Sequence, residues 1–422
     1  MFRLALHWQI FIALIFAVLT GVAANPETTV FGVSLVSVLA FFGTLFLNAL
    51  KMLIVPLIMS SIIVGMMEIQ PETLGRLGYK TLLYYATTSL IAILLGLMVV
   101  NMLQPGIGED GEPVKSIIGL SSDTDQVMEK VEGRGTGDIA EVFIRMVPAN
   151  IVTAAAEGQM LGLIFFSLLF GFFISRVKGQ PGDTLKNFWS GLLDVMMQMT
   201  NWVMMFAPYG VFALVAKVIL MSGLEAFEPL AFFFITVLSA LVLHLFVVMP
   251  LILKFVARVQ PFEHYKAMMP ALLTAFSTSS SSATLPLTME CVEERAGVSN
   301  KVSGFTLPLG ATVNMDGTAL YECVAAMFIA QAYGLSLDFT TQFTIVLIAL
   351  LTSIGVAGIP SASLVAITII LAAIGLPVEA IGLILVVDRV LDMCRTAVNV
   401  FSDSVAAVTI ARLEGEKTNL AA

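Results

Sequence analysis

Five polar residues near the end of the chain fall on one face of a predicted helix. Asp388, Asp392, Arg395, Asn399 and Asp403 follow one another at intervals of four, three, four and four positions. In an α-helix this spacing keeps them within an arc of about 80°, and we call the row the polar stripe. Carboxylates, a guanidinium and an amide on one face can bind ions or a small charged molecule.

The residues around the polar stripe are apolar, which indicates a helix in a membrane. A charge near the bilayer centre costs about 2.5–3.5 kcal/mol on insertion scales, so the stripe should face protein or a water-filled cavity. Together with Asp316, Glu322 and Arg389, the group contains five acids and two arginines. This excess of acids favours bound cations or protons, and a buried salt-bridge seam between helices is the alternative.

A second polar segment, Asn314-Met315-Asp316-Gly317-Thr318, interrupts the apolar stretch 303–334. These residues compete with the helix for backbone hydrogen bonds, so they predict an unwound turn. At membrane depth, free carbonyls and carboxylates in such a turn can coordinate a hard cation such as Na⁺. A core helix kinked at the glycine is the other interpretation.

Two further apolar stretches, 264–296 and 340–372, are each interrupted by a polar tip. The tips are the serine run 277–286, which ends at Pro286, and the segment 353–363, which contains Pro360. We expect each proline to open the second arm of a re-entrant hairpin whose tip amides face an anion. A lone serine run more often forms a loop, but the presence of two such stretches favours hairpins.

The composition excludes an ordinary soluble enzyme. Of 422 residues, 58% are hydrophobic and 12% are charged, with a mean hydropathy of +0.96, whereas soluble domains carry about 25% charged residues. The net charge of -9 argues against nucleic-acid binding. Cys291, Cys323 and Cys394 lack metal-ligand spacing and are predicted core residues.

A polytopic all-α membrane protein remains, because a spanning helix needs about 20 apolar residues. The predicted spans are 9–25, 36–67, 81–104, 158–175, 189–220, 228–256, 303–334 and 376–411. The positive-inside rule places both termini in the cytoplasm and the acidic loop 105–145 outside. Residues 1–25 also resemble a secretory signal, but their long apolar run and the consistent topology favour a first span.

The serine-rich tip ending in Ala283-Thr284-Leu285-Pro286, the turn 314–318 and the polar stripe together resemble the glutamate transporter family. This family contains excitatory and neutral amino-acid transporters and prokaryotic sodium/aspartate symporters. The resemblance covers nearly the whole chain and implies eight transmembrane helices, two re-entrant helical hairpins, a homotrimer and an elevator-type mechanism. It implies scaffold segments 1–80 and 146–222, an extracellular loop 105–145, transport-domain segments 81–104 and 223–413, and a cytoplasmic tail 414–422.

The resemblance also implies substrate-binding residues. Arg395 would bind the side-chain carboxylate of the substrate, and Asp392 its amino group. Asn399, Ser281 and Ser282 would hold the α-carboxylate. The remaining positions implied in the substrate site are Thr318, Thr396, Gly358 and Ile359.

Three sodium sites follow from the same resemblance. The first would use Asn314, Asn399 and Asp403 with the Gly310 carbonyl group. The other two sets are Thr312, Met315, Ser353 and Ile354, and Asp316, Asn314, Tyr85, Thr88 and Ser89. Cotransported Na⁺ and, as a further coupling ion, H⁺ are thus expected, and no organic cofactor.

Two features depart from parts of the family. Glu322 follows Thr-Ala-Leu-Tyr as in the animal transporters, where this position is linked to proton cotransport, whereas archaeal relatives have glutamine. The family usually has an arginine at the position of Ser279 or of Met393, but this chain instead has Arg389 one turn earlier. We therefore consider Arg389 a candidate substitute for that arginine.

The predicted function is sodium-coupled symport of aspartate or glutamate in a cell membrane, with lipid as the surrounding partner. The alternative is a symporter of C4-dicarboxylates or neutral amino acids. Asp392 argues against the former and an unpaired Arg395 against the latter. An ion channel does not require such a set of groups, and an intramembrane aspartyl protease needs two carboxylates sharing a proton, which Arg395 and Asn399 separate.

Overall fold

Helices make up nearly all of the described structure. The computed structural model describes residues 6–30, 32–68, 76–108, 110–114, 144, 146–156, 160–223, 227–335, 337–353, 362–377 and 380–420. The only strands in these ranges, Thr29–Val30 and Val33–Ser34, form a short antiparallel hairpin. Most of the predicted loop 105–145 lies outside the described residues.

Most helices of the first half pack around one long helix. In the described part of this half, the helices are α1 (Leu6–Ala23), α2 (Leu35–Glu68), α3 (Arg76–Leu103), α4 (Ile151–Ala156), α5 (Met160–Ile174), α6 (Gln180–Met204) and α7 (Ala207–Ser222). Helix α2 contacts α5, α6 and α7, and α1 packs along α7. Helix α3 instead joins the second half of the chain, where it packs on the helix that follows the 314–318 turn.

The second half of the chain surrounds its last helix. Its α-helices are α8 (Phe227–Leu243), α9 (Met249–Ile252), α10 (Pro261–Thr278), α11 (Ser281–Glu290), α12 (Asn300–Val313), α13 (Asp316–Ala332), α14 (Phe339–Ser353), α15 (Ala362–Ile374) and α16 (Ile381–Leu413). π-Helical turns occupy His244–Val248, Leu253–Ala257 and Cys291–Arg295. Helix α16, which carries the polar stripe, contacts α8, α10, α11, α12 and α13.

Two helical segments of the described chain are long and apolar enough to cross a membrane unaided. They are Leu77–Leu103 and Glu228–Ala257, with mean hydropathies of 2.1 and 2.6. The pair Gln180–Met204 and Ala207–Met221 adds a third candidate that bends by 50° at its break. From the sequence, 189–220 is predicted to be one span. The helix breaks there because Pro208, in the first turn of α7, has no backbone N–H to continue the preceding helix.

The first polar tip joins two helices that pack on each other. Helix α10 ends before Ser279, which has a left-handed backbone with φ of 52°. Ser280 then caps α11, since its Oγ accepts a hydrogen bond from the Ala283 N–H at 3.2 Å. The prediction that Pro286 opens the second arm is wrong, because the serine cap starts α11 at Ser281 and Pro286 lies inside the helix.

The predicted cytoplasmic tail is packed against the second half of the fold. Glu414 forms an ion pair of 2.5 Å with Lys80 of α3. Glu416 accepts hydrogen bonds from the N–H and Oγ of Ser299, just before α12. The Asn419 N–H donates to a carbonyl oxygen at the base of the first hairpin, at 2.9 Å. These contacts tie the end of the chain to three separate elements.

Candidate functional site

A break between α12 and α13 creates the centre of the site. Helix α12 ends at Val313 and α13 starts at Asp316, with Asn314 and Met315 outside helical geometry. The predicted unwound turn is therefore present. All of α13 is buried, so its first N–H groups need protein acceptors or a ligand.

Asn399 of the polar stripe supplies one of these acceptors. Its Oδ1 accepts hydrogen bonds from the N–H groups of Gly317 at 2.8 Å and Thr318 at 3.3 Å. Its Nδ2 donates to Thr318 Oγ1 at 2.9 Å. A Cβ atom on Gly317 would lie 2.7 Å from the Arg395 carbonyl oxygen, so glycine permits this close approach of the two backbones. The amide thus fixes the start of α13 against α16.

A buried cluster of four charges lies one to three turns earlier on α16. The Arg395 guanidinium, 1% exposed, donates to Asp388 Oδ1 at 3.0 Å and to Asp392 Oδ1 at 2.8 Å. Arg389 Nη1 lies 3.1 Å from Asp392 Oδ2. The Arg395 guanidinium carbon also lies 4.2 Å from the ring centre of Tyr321, whose hydroxyl donates to Asp388 at 2.9 Å. We call Asp388, Arg389, Asp392 and Arg395 the arginine cluster.

The three ion pairs of the arginine cluster described above lie within α16. A salt-bridge seam joining helices, the alternative considered from the sequence, therefore does not describe them. A guanidinium offers planar, paired donors that match a carboxylate, and it binds most strongly away from water. Because Arg395 already holds two carboxylates, an incoming carboxylate could exchange with one of them.

Asp316, at the start of α13, lies in a second buried polar group. Its Oδ1 accepts from Ser89 Oγ of α3 at 2.7 Å, and its Oδ2 accepts from Ser402 Oγ of α16 at 2.6 Å. Nε2 of His244, in the π-helical turn after α8, lies 3.2 Å from the same Oδ2. Each of these four side chains is at most 2% exposed. Three elements, α3, α16 and the π-helical turn after α8, therefore each contact the carboxylate at the start of α13.

Asp403 and Asn314 adjoin this group. Asn314 Nδ2 donates to Asp403 Oδ1 at 2.9 Å, and Thr88 Oγ1 donates to Asn314 Oδ1 at 3.3 Å. A Cβ atom on Gly310 would lie 2.5 Å from Asp403 Oδ1 and 2.9 Å from the Tyr85 hydroxyl. A glycine at this position therefore leaves room beside the carboxylate, and its carbonyl accepts from the Asn314 N–H at 2.9 Å.

The structure brings the residues of the first and third predicted sodium sites together around the broken helix. Carboxylate, amide, hydroxyl and carbonyl oxygens are the donors that hard cations prefer. The Tyr85 hydroxyl does not donate to these oxygen groups, because it donates to the Thr306 carbonyl oxygen at 2.7 Å.

The described part of the chain leaves the second predicted sodium site incomplete. Thr312 and Ser353 each donate to a carbonyl oxygen three residues earlier in their own helix, at 3.0 and 2.8 Å, and Met315 is buried. Ile354, Gly358 and Ile359, all predicted site residues of the second tip, lie outside the described residues.

Glu322 is buried one turn after Thr318 on α13. Its Oε2 accepts a hydrogen bond from Thr352 Oγ1 of α14 at 2.9 Å. Its Oε1 is buried and has no hydrogen-bond partner within the described residues. An acid in such a setting is a candidate to carry a proton, because neutralisation removes the cost of burying its charge.

The other predicted substrate residues belong to α11 and α16. Ser281 is buried in the first turn of α11, while Ser282 beside it is exposed. The Thr396 hydroxyl donates to the Asp392 carbonyl oxygen at 2.7 Å, within α16. Ser281 is thus oriented by a helix start, where backbone N–H groups can bind an anion.

Three partners in these groups were not predicted from the sequence: His244, Ser402 and Thr352. His244 had a signal, since it is an ionisable residue inside an otherwise apolar segment. Ser402 lies about 20° beyond the edge of the polar stripe on a helical projection, so it could also have been found. Thr352 had no signal, because its contact depends on how α14 packs on α13.

Comparison with known proteins places nearly the whole chain in one family. The chain matches the model of the sodium:dicarboxylate symporter family over residues 6–413. It is 34% identical to the proton/sodium-glutamate symport protein of Geobacillus stearothermophilus, covering 98% of this chain and 96% of the relative. It is 33% identical to the proton/glutamate-aspartate symporter of Escherichia coli (strain K12), covering 98% and 93%.

An animal relative matches over a smaller share. The chain is 37% identical to excitatory amino acid transporter 3 of Mus musculus, covering 89% of this chain and 79% of the relative. The family match spans nearly all of the sequence, and it includes the broken helix, the first hairpin and the polar stripe. The chain therefore belongs to the sodium:dicarboxylate symporter family.

Proposed function

We propose that this protein is a secondary active symporter that takes up aspartate or glutamate on an inward sodium gradient, with a proton carried by Glu322. The observation that carries this proposal is the buried Arg395 guanidinium, held by Asp388 and Asp392. Arg395 can bind a carboxylate, and the neighbouring Asp392 can bind an ammonium group, so the two groups that an amino acid needs lie side by side. The names of the relatives, a proton/sodium-glutamate symport protein and a proton/glutamate-aspartate symporter, support the same substrate class.

In this proposal Arg395 binds the side-chain carboxylate of the substrate and Asp392 its ammonium group. Asn399, Thr318, Thr396 and the first hairpin tip at Ser281 and Ser282 complete the site with Gly358 and Ile359. The pairing of Arg395 with Asp392 supports this assignment, because an amino acid with an acidic side chain can replace each partner by a group of the same charge.

Sodium ions bind around the broken helix in the same proposal. The carboxylates Asp316 and Asp403 contact hydroxyl, amide and imidazole groups and no arginine within the described residues. Bound cations would balance these buried charges. The oxygen donors of α3, α12, α13 and α16 that surround them support this location.

We also propose that the protein spans the cell membrane with both termini in the cytoplasm, forms a homotrimer and works as an elevator. The scaffold would comprise 1–80 and 146–222, and the moving part would comprise α3 and 223–413. Packing supports this division, since α2 contacts α5, α6 and α7 whereas α3 contacts α13.

Purified protein in liposomes tests the transport function. We expect labelled aspartate or glutamate to accumulate when Na⁺ is outside, and not when K⁺ replaces it on both sides. Competition by succinate and by a neutral amino acid should be weak, because the former lacks an ammonium group for Asp392 and the latter leaves Arg395 without a substrate carboxylate. Uptake that is indifferent to Na⁺ would contradict the coupling, and preferred uptake of succinate would favour a dicarboxylate symporter.

A further inference from the structure

We propose that Arg389 determines substrate specificity: it holds Asp392 in place while Arg395 changes partners, and its charge favours anionic amino acids. This inference rests on the proposed function of the site. Arg389 is a positioning residue in this scheme, because it acts on the substrate through Asp392.

The two oxygens of Asp392 are held by different arginines. Oδ1 accepts from Arg395 Nη2 at 2.8 Å and from Arg395 Nε at 3.2 Å, whereas Oδ2 is paired with Arg389 Nη1 at 3.1 Å. The Asp392 side chain is 6% exposed and that of Arg389 13% exposed. Both contacts therefore lie in a region of low dielectric, where charge pairs are strong.

Substrate binding requires an exchange at only one of these oxygens. A substrate carboxylate that takes the Arg395 guanidinium displaces Asp392 Oδ1, which becomes available to the substrate ammonium group. Arg389 can remain on Oδ2 throughout, so it keeps the Asp392 carboxylate oriented. The exchange then needs no rearrangement of the Asp392 side chain.

The charge of Arg389 also distinguishes between substrates. The arginine cluster contains two arginines and two aspartates and is neutral as a whole. Without Arg389 it would carry one negative charge, which repels aspartate and glutamate but not a zwitterion of zero net charge. The Nε of Arg389 is buried and makes no hydrogen bond within the described residues, so its guanidinium retains a donor that the ion pair with Asp392 does not use.

Kinetics of three variants in proteoliposomes test the inference. Arg389→Met removes the charge at similar length, Arg389→Lys retains it, and Arg295→Met is a matched control at an exposed arginine. We expect Arg389→Met to raise the KM for aspartate and glutamate by about tenfold, the effect of losing one charged hydrogen bond, with a smaller change in maximal rate. Inhibition by neutral amino acids should strengthen relative to acidic ones. Arg389→Lys and Arg295→Met should retain a KM close to that of the unmodified protein.

An unchanged KM in Arg389→Met would overturn the inference. So would a fall in maximal rate and thermal stability alone, with no change in selectivity, because that outcome indicates a structural role. If the Met variant does not assemble, Arg389→Gln removes the charge while keeping a donor and is measured in the same way. An unmodified protein that accumulates no acidic amino acid would contradict the proposed function itself, and this inference with it.

Discussion

The five buried acids of the site differ in their partners. Asp388 and Asp392 are paired with arginines, whereas Asp316, Asp403 and Glu322 contact hydroxyl, amide or imidazole groups. The excess of acids seen in the sequence is therefore located at the broken helix and at Glu322. Buried carboxylates that lack a cationic partner are costly, so these are the positions where cations or a proton should be taken up.

At the scale of single residues, Arg395→Cys should abolish recognition of acidic side chains. The variant loses at least one charged hydrogen bond to the substrate carboxylate, so kcat/KM for aspartate should fall about 100-fold. Neutral amino acids should become relatively better substrates. Radiolabelled uptake in proteoliposomes measures both, with Arg295→Cys as the exposed control, and unchanged selectivity would remove the role assigned to Arg395.

Glu322→Gln should remove the pH dependence of uptake. Glutamine keeps the size of the side chain and can still contact Thr352, but it cannot take up or release a proton. Initial uptake rates between pH 5 and 9 provide the measurement. Glu263→Gln, at an exposed position, should behave like the unmodified protein. If the unmodified protein has no pH dependence, the proton assignment is wrong.

Among the elements, the broken helix was predictable from its own residues, whereas the placement of Asn399 beside it came only from the family resemblance. Asn314, Asp316 and Gly317 are poor helix formers in an apolar stretch, which is a local signal. The contact of Asn399 with the start of α13 depends on how two distant helices are aligned, and no local signal specifies that. The start of α11 was misplaced because a serine cap acts earlier than the proline on which the prediction relied.

Gly317→Ala tests the close approach of α13 and α16. The new Cβ atom would lie 2.7 Å from the Arg395 carbonyl oxygen, so the helices must move apart. We expect a loss of about 1–3 kcal/mol in stability, as for other overpacked sites, and weaker substrate binding. Gly191→Ala is the matched control in α6, since no atom lies within 4 Å of its added Cβ. Thermal unfolding in detergent compares the two, and equal unfolding temperatures would contradict the predicted clash.

For the whole molecule, hydropathy predicted a predominantly helical fold, and the serine run predicted the break between α10 and α11 in the first hairpin. They did not predict the packed tail, because the polar residues of 414–419 have no periodicity that indicates a partner. They also missed the π-helical turns, which follow from tertiary packing. The partition of α3 with the second half of the chain came from the family resemblance and is supported by its contacts with α13.

Glu416→Ala should loosen the tail from the second half of the fold. It removes two hydrogen bonds from Ser299, which lie near the surface and together contribute about 1 kcal/mol. Lys417→Ala, at the neighbouring exposed residue, is the control. We expect a lower unfolding temperature in the first variant alone. Proteolysis at the C-terminus should become faster in that variant, and equal rates in both would argue against docking of the tail.

The internal pairing of the arginine cluster has an electrical consequence. Moving one elementary charge through a membrane potential of 100 mV involves work of about 2.3 kcal/mol. Two arginines and two aspartates on one helix have no net charge, so displacement of this cluster within the field does no such work. Any voltage dependence of transport would then come from the transported ions and substrate and from the sodium-binding carboxylates Asp316 and Asp403. The arginine cluster would contribute nothing to it.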